Sequence, residues 1–154
     1  SQHRSVMAIL LDGGADASIK NESGDTPLHL AAITTRGAEA MELLLKAGAP
    51  INALNGKKQT PLHYAADYFK ETAALHLLGA GSAVNLQDED GKTPLHMAVQ
   101  RSFIRVVRAL VEKGANPTIV GRDGKSPIDM AREAKNSEIL ALLEKTVAAQ
   151  ANIK

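Results

Sequence analysis

The chain has 154 residues, 44% of them apolar and 23% charged, and contains neither cysteine nor tryptophan. That is long enough for one domain with a continuous core, while the missing thiols remove disulfide frameworks, thiolate zinc sites and cysteine nucleophiles together. Eighteen Lys and Arg against seventeen Asp and Glu leave a formal charge of +1, which provides no field to hold a polyanion, so nucleic acid is not an expected partner.

The first residues lack the charged-then-apolar order of a secretory signal, and no later run approaches the roughly 18 apolar residues of a membrane span. Direct membrane insertion is therefore not expected, and the absence of cysteine fits an intracellular setting, cytoplasmic or nuclear. Residues 1–25 read as the closing half of a helical unit: a helix near Ser5 to Asp12, a stop at Gly14 and a turn at Asn21 to Gly24. The first helix of that unit is missing, so the chain is expected to be a fragment of a longer protein, or something outside it covers Val6, Met7 and Leu10.

The tetrapeptide Thr26-Pro27-Leu28-His29 then opens a pattern that returns at Thr60 to His63 and Thr93 to His96, and as Ser-Pro-Ile-Asp at Ser126 to Asp129, at intervals of 34, 33 and 33 residues. A Thr or Ser before Pro marks a helix start: its oxygen accepts from the backbone N–H three residues on, and proline's fixed φ suits a first helical position that needs no N–H. First helices are thus predicted from Pro27, Pro61, Pro94 and Pro127. Leu28, Ala31 and Ala32 recur as Leu62, Ala65, Ala66 and as Leu95, Ala98, Val99, one apolar face at helical spacing. In the second helices Val106, Val107, Leu110 and Val111 form the clearest stripe, and Gly48, Gly81 and Gly114 stand where a left-handed residue ends a helix. Asn55-Gly56, Asp88 to Gly91 and Arg122 to Gly124 read as the tips of hairpin-like fingers. The expected divisions are 1–25, 26–59, 60–92, 93–125 and 126–154. The last carries Arg132, Glu133, Lys135 and Glu144 at outer positions, as a capping unit and tail would. Two short helices cannot bury their apolar faces alone, so the units must stack.

This period and the T-P-L-H-x-A signature resemble the ankyrin repeat over nearly the whole chain. The resemblance implies an all-α ankyrin-repeat solenoid of helix-turn-helix units with β-hairpin-like finger loops, in which the recurring His bonds the adjoining loop. Where that family usually has Gly-His between its helices, this chain has Arg36-Gly37, Phe69-Lys70, Ser102-Phe103 and Lys135-Asn136. A left-handed Phe69 costs on the order of 1 kcal/mol, so the turn is expected either to differ or to be strained. The extra residue of the 34-residue interval fits around Thr34 to Gly37. Lys58 stands where the other fingers have Gly24, Gly91 and Gly124, and a tight turn at Asn55-Gly56, displaced by two positions, is expected to reconcile it.

Chemistry-bearing residues do not converge in this pattern. His29, His63 and His96 hold one motif position in successive units, roughly 10 Å apart, whereas ligands of one ion stand about 2 Å from it. His76 and His3 have no evident partner. No Ser-His-Asp order and no phosphate-cradling loop is present. Asp88, Glu89 and Asp90 lack the alternation of a calcium loop and read as a charged finger, with weak cation binding as the alternative. Arg101, Arg105 and Arg108 lie near one side of a helix-turn region and read as a solvated face. Neither a catalytic group, a metal nor a cofactor is therefore expected.

What remains is a surface. The resemblance implies docking of another protein, or of a flanking domain of the same protein, on the fingers and the exposed side of the first helices. By motif position that surface includes Asp25, with Glu22 and Ser23 beside it, and Ile33, followed by Thr34. It continues through Lys57, Gln59, Asp67 and Tyr68, then Glu89, Asp90, Lys92, Gln100 and Arg101, and ends at Arg122, Asp123 and Lys125. Tyr68 is the favoured anchor, flanked by Arg101, with packing under a finger as the plainer alternative. Tyr64 is expected in the core, and Phe69 and Phe103 in local packing. A monomeric, non-catalytic interaction module is the first expectation; a regulatory or scaffolding segment of a larger enzyme or channel is the second.

Overall fold

The computed structural model describes residues 9, 11–35 and 37–152. Eight helices lie wholly within the described residues: α1 (Pro27–Ile33), α2 (Gly37–Lys46), α3 (Pro61–Asp67), α4 (Glu71–Gly79), α5 (Pro94–Gln100), α6 (Ile104–Glu112), α7 (Pro127–Glu133) and α8 (Ser137–Ala151). Ile9, Leu11 and Asp12 form the end of a preceding helix, closed where Gly13 N–H donates to Ile9 O at 2.9 Å. Val6, Met7, Leu10 and His3 lie outside the described residues.

Each first helix begins at its proline, as the sequence predicts, but the cap has a second limb. The backbone N–H of Thr26, Thr60 and Thr93 donates to Nδ1 of His29, His63 and His96 at 3.1, 3.1 and 2.9 Å, and Ser126 N–H donates to Asp129 Oδ2 at 3.1 Å. Histidine thus takes the place of the Glu or Gln that normally closes a capping box.

The helices lie in two rows. α1, α3, α5 and α7 pack in succession, as do α2, α4, α6 and α8. Leu28, Leu62 and Leu95 are fully buried in the first row, with Ala32 and Ala66 beside them. Leu44, Leu77, Leu110 and Leu143, at a constant interval of 33 residues, form the spine of the second. Truncating one such Leu to Ala typically costs about 2–5 kcal/mol. Ala31, Ala65, Ala98 and Ala131 are buried where the rows meet, small enough for close approach.

The back turns keep the left-handed conformation without glycine: φ is 56° at Phe69, 54° at Ser102 and 52° at Lys135. The strain is offset because the next amide then reaches a helix carbonyl, Lys70 to Ala65 at 2.9 Å, Phe103 to Ala98 at 2.8 Å and Asn136 to Ala131 at 3.1 Å. The first back turn differs. A Cβ at Gly37 would lie 1.8 Å from Ala31 O, so the chain passes where only glycine fits. Arg36 lies outside the described residues.

The displaced turn expected at Asn55-Gly56 is not present. Lys58 itself is left-handed, at φ 58°, and its N–H donates to Asn55 O at 3.0 Å, as Gly24 N–H does to Asn21 O at 2.9 Å. The Asn55 carboxamide explains this. Its Oδ1 accepts from Lys57 and Gln59 amides, both at 2.9 Å, and holds the loop in the same shape as the Asp88 finger. Gly56 serves the neighbouring finger instead, as its N–H donates to Ser23 O at 2.9 Å.

Candidate docking surface

The fingers are tied to one another by backbone groups and to the first helices by buried histidines, which leaves most tip side chains facing solvent. Gly56 N–H donates to Ser23 O, Glu89 N–H to Lys57 O and Arg122 N–H to Asp90 O, at 2.9, 2.9 and 2.8 Å, so each tip is pinned to the one before. From beneath, Nε2 of His29, His63 and His96 lies 2.9, 3.0 and 3.2 Å from the carbonyls of Gln59, Lys92 and Lys125. With Nδ1 occupied as an acceptor, Nε2 carries the proton and donates. The three rings are completely buried, and burial first of all pushes their pKa below the usual 6.5, against the pull of the accepting carbonyl. The implied role of these histidines as loop anchors is therefore observed, and three rings each bound in this way do not gather on one ion.

Between the first two fingers a side-chain clasp adds to the ladder. Tyr64 OH donates to Asp25 Oδ1 at 2.8 Å, and Asn55 Nδ2 donates to the same oxygen at 2.8 Å. Burial, and next the Asp25 carboxylate, push the Tyr64 hydroxyl up to about 12. Asp25, expected on the docking surface, is instead buried at 7% exposure and belongs to the scaffold. Tyr64 is only half-buried, with its ring edge-on to His29 at 5.3 Å. The repeat pattern carries no signal for this clasp, because the residues matching Asp25 are Gln59, Lys92 and Lys125.

The other expected residues fall in two groups. Lys57, Tyr68, Glu89, Asp90, Gln100, Arg101, Arg122 and Asp123 are exposed; Ile33, Gln59, Asp67, Lys92 and Lys125 are half-buried. Tyr68, with 52% exposure, leans on Tyr64 at a ring separation of 5.7 Å. Arg101 Nε donates to Asp67 Oδ1 at 2.9 Å, one repeat earlier. Toward the far end, Lys92, Gln100, Asp123, Lys125, Met130 and Glu133 line a depression of about 440 Å³, with Lys125 and Glu133 paired across it. In the acidic finger, Asp88 is buried as a turn acceptor while Glu89 and Asp90 face solvent.

Among the described residues no group of three or more His, Asp or Glu is placed to hold a metal ion. No helix there is long and apolar enough to cross a membrane. Compared with descriptions of known protein families, the chain matches the one for ankyrin repeats in three copies, over residues 1–75 and again over 68–154. A search of curated proteins returned no match.

Proposed function

The chain belongs to the ankyrin-repeat family, whose members are generally protein–protein interaction modules, and from that premise we propose that it is a non-catalytic module whose partner docks on the finger tips and the exposed ends of α1, α3, α5 and α7. The observation that carries this reading is the division of labour in the fingers. Backbone atoms and buried side chains fix their positions, while Lys57, Glu89, Asp90, Arg122 and Asp123 are exposed. A row of pinned, chemically varied tips costs little entropy to dock against. Tyr68 is the anchor in this proposal, a large ring with a polar end beside the exposed Gln100 and Arg101. The repeat divisions at 26, 60, 93 and 126 are part of the same proposal.

A second reading, docking against a flanking domain of the same protein, is favoured by the edge before α1. Ile9 and Ile19 are 69% and 65% exposed there.

The test is affinity capture from cell extract, quantified for a specifically retained partner, with the wild-type chain and with Tyr68→Ala and a Lys57→Glu, Asp90→Lys, Arg122→Glu triple variant. Capture should weaken at least about tenfold in each, with the thermal midpoint nearly unchanged, as expected for exposed positions. Undiminished capture by both variants would sink the assignment of this face.

A further inference from the structure

The chain has two Tyr and two Phe, and they form two ring pairs, Tyr64 with Tyr68 and Phe69 with Phe103, brought into one strip by the adjacency of Tyr68 and Phe69 at the end of α3. The strip starts in the groove at Tyr64 and Tyr68 and continues around the end of α3 to the back turns, the end of the helix pairs remote from the fingers. There the Phe69 and Phe103 rings stand 5.6 Å apart, and the Arg101 guanidinium lies 5.9 Å from the Phe69 ring centroid. Phe69 is 56% exposed.

Phe69 is the unusual residue among the left-handed back turns. Its left-handed backbone favours glycine. Ser102 and Lys135 share the conformation at the matching turns with small or solvated side chains, yet this turn alone keeps a bulky ring there and turns more than half of it to water. An exposed aromatic on strained backbone points to use.

The charge on the segments that carry the two rings names the chemistry of what they meet. Residues 67–71 and 101–108 contain Lys70, Arg101, Arg105 and Arg108 against Asp67 and Glu71. Arg101 engages Asp67 through Nε and Arg105 engages Glu71 through one Nη at 3.0 Å, which leaves their other nitrogens available. Arg108 is exposed and forms no ion pair among the described residues. Aromatic faces flanked by incompletely used guanidiniums suit an apolar side chain set among carboxylates.

We infer that the Phe69–Phe103 ridge, with Arg101, Arg105 and Arg108, is a second docking site, for an acidic peptide segment bearing an apolar anchor. It goes beyond the groove reading: the two share Arg101, but the ridge lies on the back turns and uses no finger, so residues that only one of them uses tell them apart.

The test is titration of the isotopically labelled chain with a synthetic peptide carrying one Leu-Phe pair flanked on both sides by Glu and Asp, followed by amide chemical-shift mapping and fluorescence anisotropy. Shifts are expected at residues 69–71 and 101–108. Affinity should fall at least about tenfold in Phe69→Gly and in Arg105→Glu, and when the peptide's acids are replaced by Lys or its Leu-Phe by Ser-Ser. Glycine suits the φ at position 69, so Phe69→Gly separates lost binding from lost folding; the Lys57→Glu, Asp90→Lys, Arg122→Glu variant should bind the peptide as the wild type does. Shifts confined to the fingers, equal affinity for the Lys peptide, or no binding at millimolar peptide would each overturn the ridge site and leave the groove proposal untouched.

Discussion

Lys58 and Gly24 occupy the same place in successive fingers, at φ 58° and 78°, and experience opposite constraints. A left-handed lysine is strained by about 1–2 kcal/mol, and glycine would relieve this at about 0.4–1 kcal/mol of added unfolded-chain entropy. Lys58→Gly is therefore expected to leave the fold as stable or up to about 1.6 kcal/mol more stable, read as a urea midpoint that holds or rises. Gly24→Ala should do the reverse, by more than about 1 kcal/mol, since its Cβ would meet Gly56 N at 2.7 Å on backbone that already disfavours a side chain. At this scale the sequence reading was least complete. Lys58 stands out in the sequence as the odd residue, but an Asn-Gly pair is a strong local signal that places the turn two positions early; the Asn55 carboxamide, bonded to two amides within its own finger, overrides it.

The helix-capping element makes a pH prediction. His29, His63 and His96 each receive an amide at Nδ1 and give Nε2–H to the next finger, so a second ring proton would face a donor. Their folded pKa values lie below the ordinary 6.5, with burial as the leading cause. Below that pH the unfolded chain holds more protons, so the stability they contribute is full above about pH 6.5 and is lost as pH falls through the folded values. Asp16 and Asp129, held below 3.8 chiefly by hydrogen bonds from Ser18 and Ser126, lose theirs only at more acid pH. The urea midpoint is thus expected to drop between about pH 7.5 and pH 5, and to drop less in His63→Gln; a flat midpoint over that interval would contradict the buried neutral rings. The helices themselves were legible, since Thr-Pro starts, apolar stripes and glycine stops are local signals repeated in register. That the recurring His also closes the cap was legible in principle, three residues after each Thr.

Across the whole stack, each pair of helices is stabilised by its neighbours, and the middle has the most. The α3 to α6 block is flanked on both sides and is braced by the Asp67–Arg101 and Glu71–Arg105 pairs and the Phe69–Phe103 contact. In α8, by contrast, the buried positions are Ile139 and Leu143, in its first half. Amide exchange should accordingly be slowest in α3 and α5 and faster at Leu11 and Asp12 and over residues 146–152, measured by mass spectrometry; uniform protection over the described residues would argue against nearest-neighbour stacking. The stack and its first-helix row were readable from the period alone. The Asp25 clasp and the aromatic strip were not, because neither repeats: each joins residues of unlike identity that the superhelix brings side by side.

The first interval, one residue longer than the others, leaves Leu44 in step with Leu77, Leu110 and Leu143. The first helices are equal in length and α2 starts as far beyond α1 as α4 does beyond α3, so the surplus falls not in the turn expected to hold it but within α2, between Gly37 and Leu44, where ten residues stand against nine in α4 and α6. Length is thereby absorbed in the second-helix row, upstream of the leucine spine, and the first helices and fingers that follow keep the common interval.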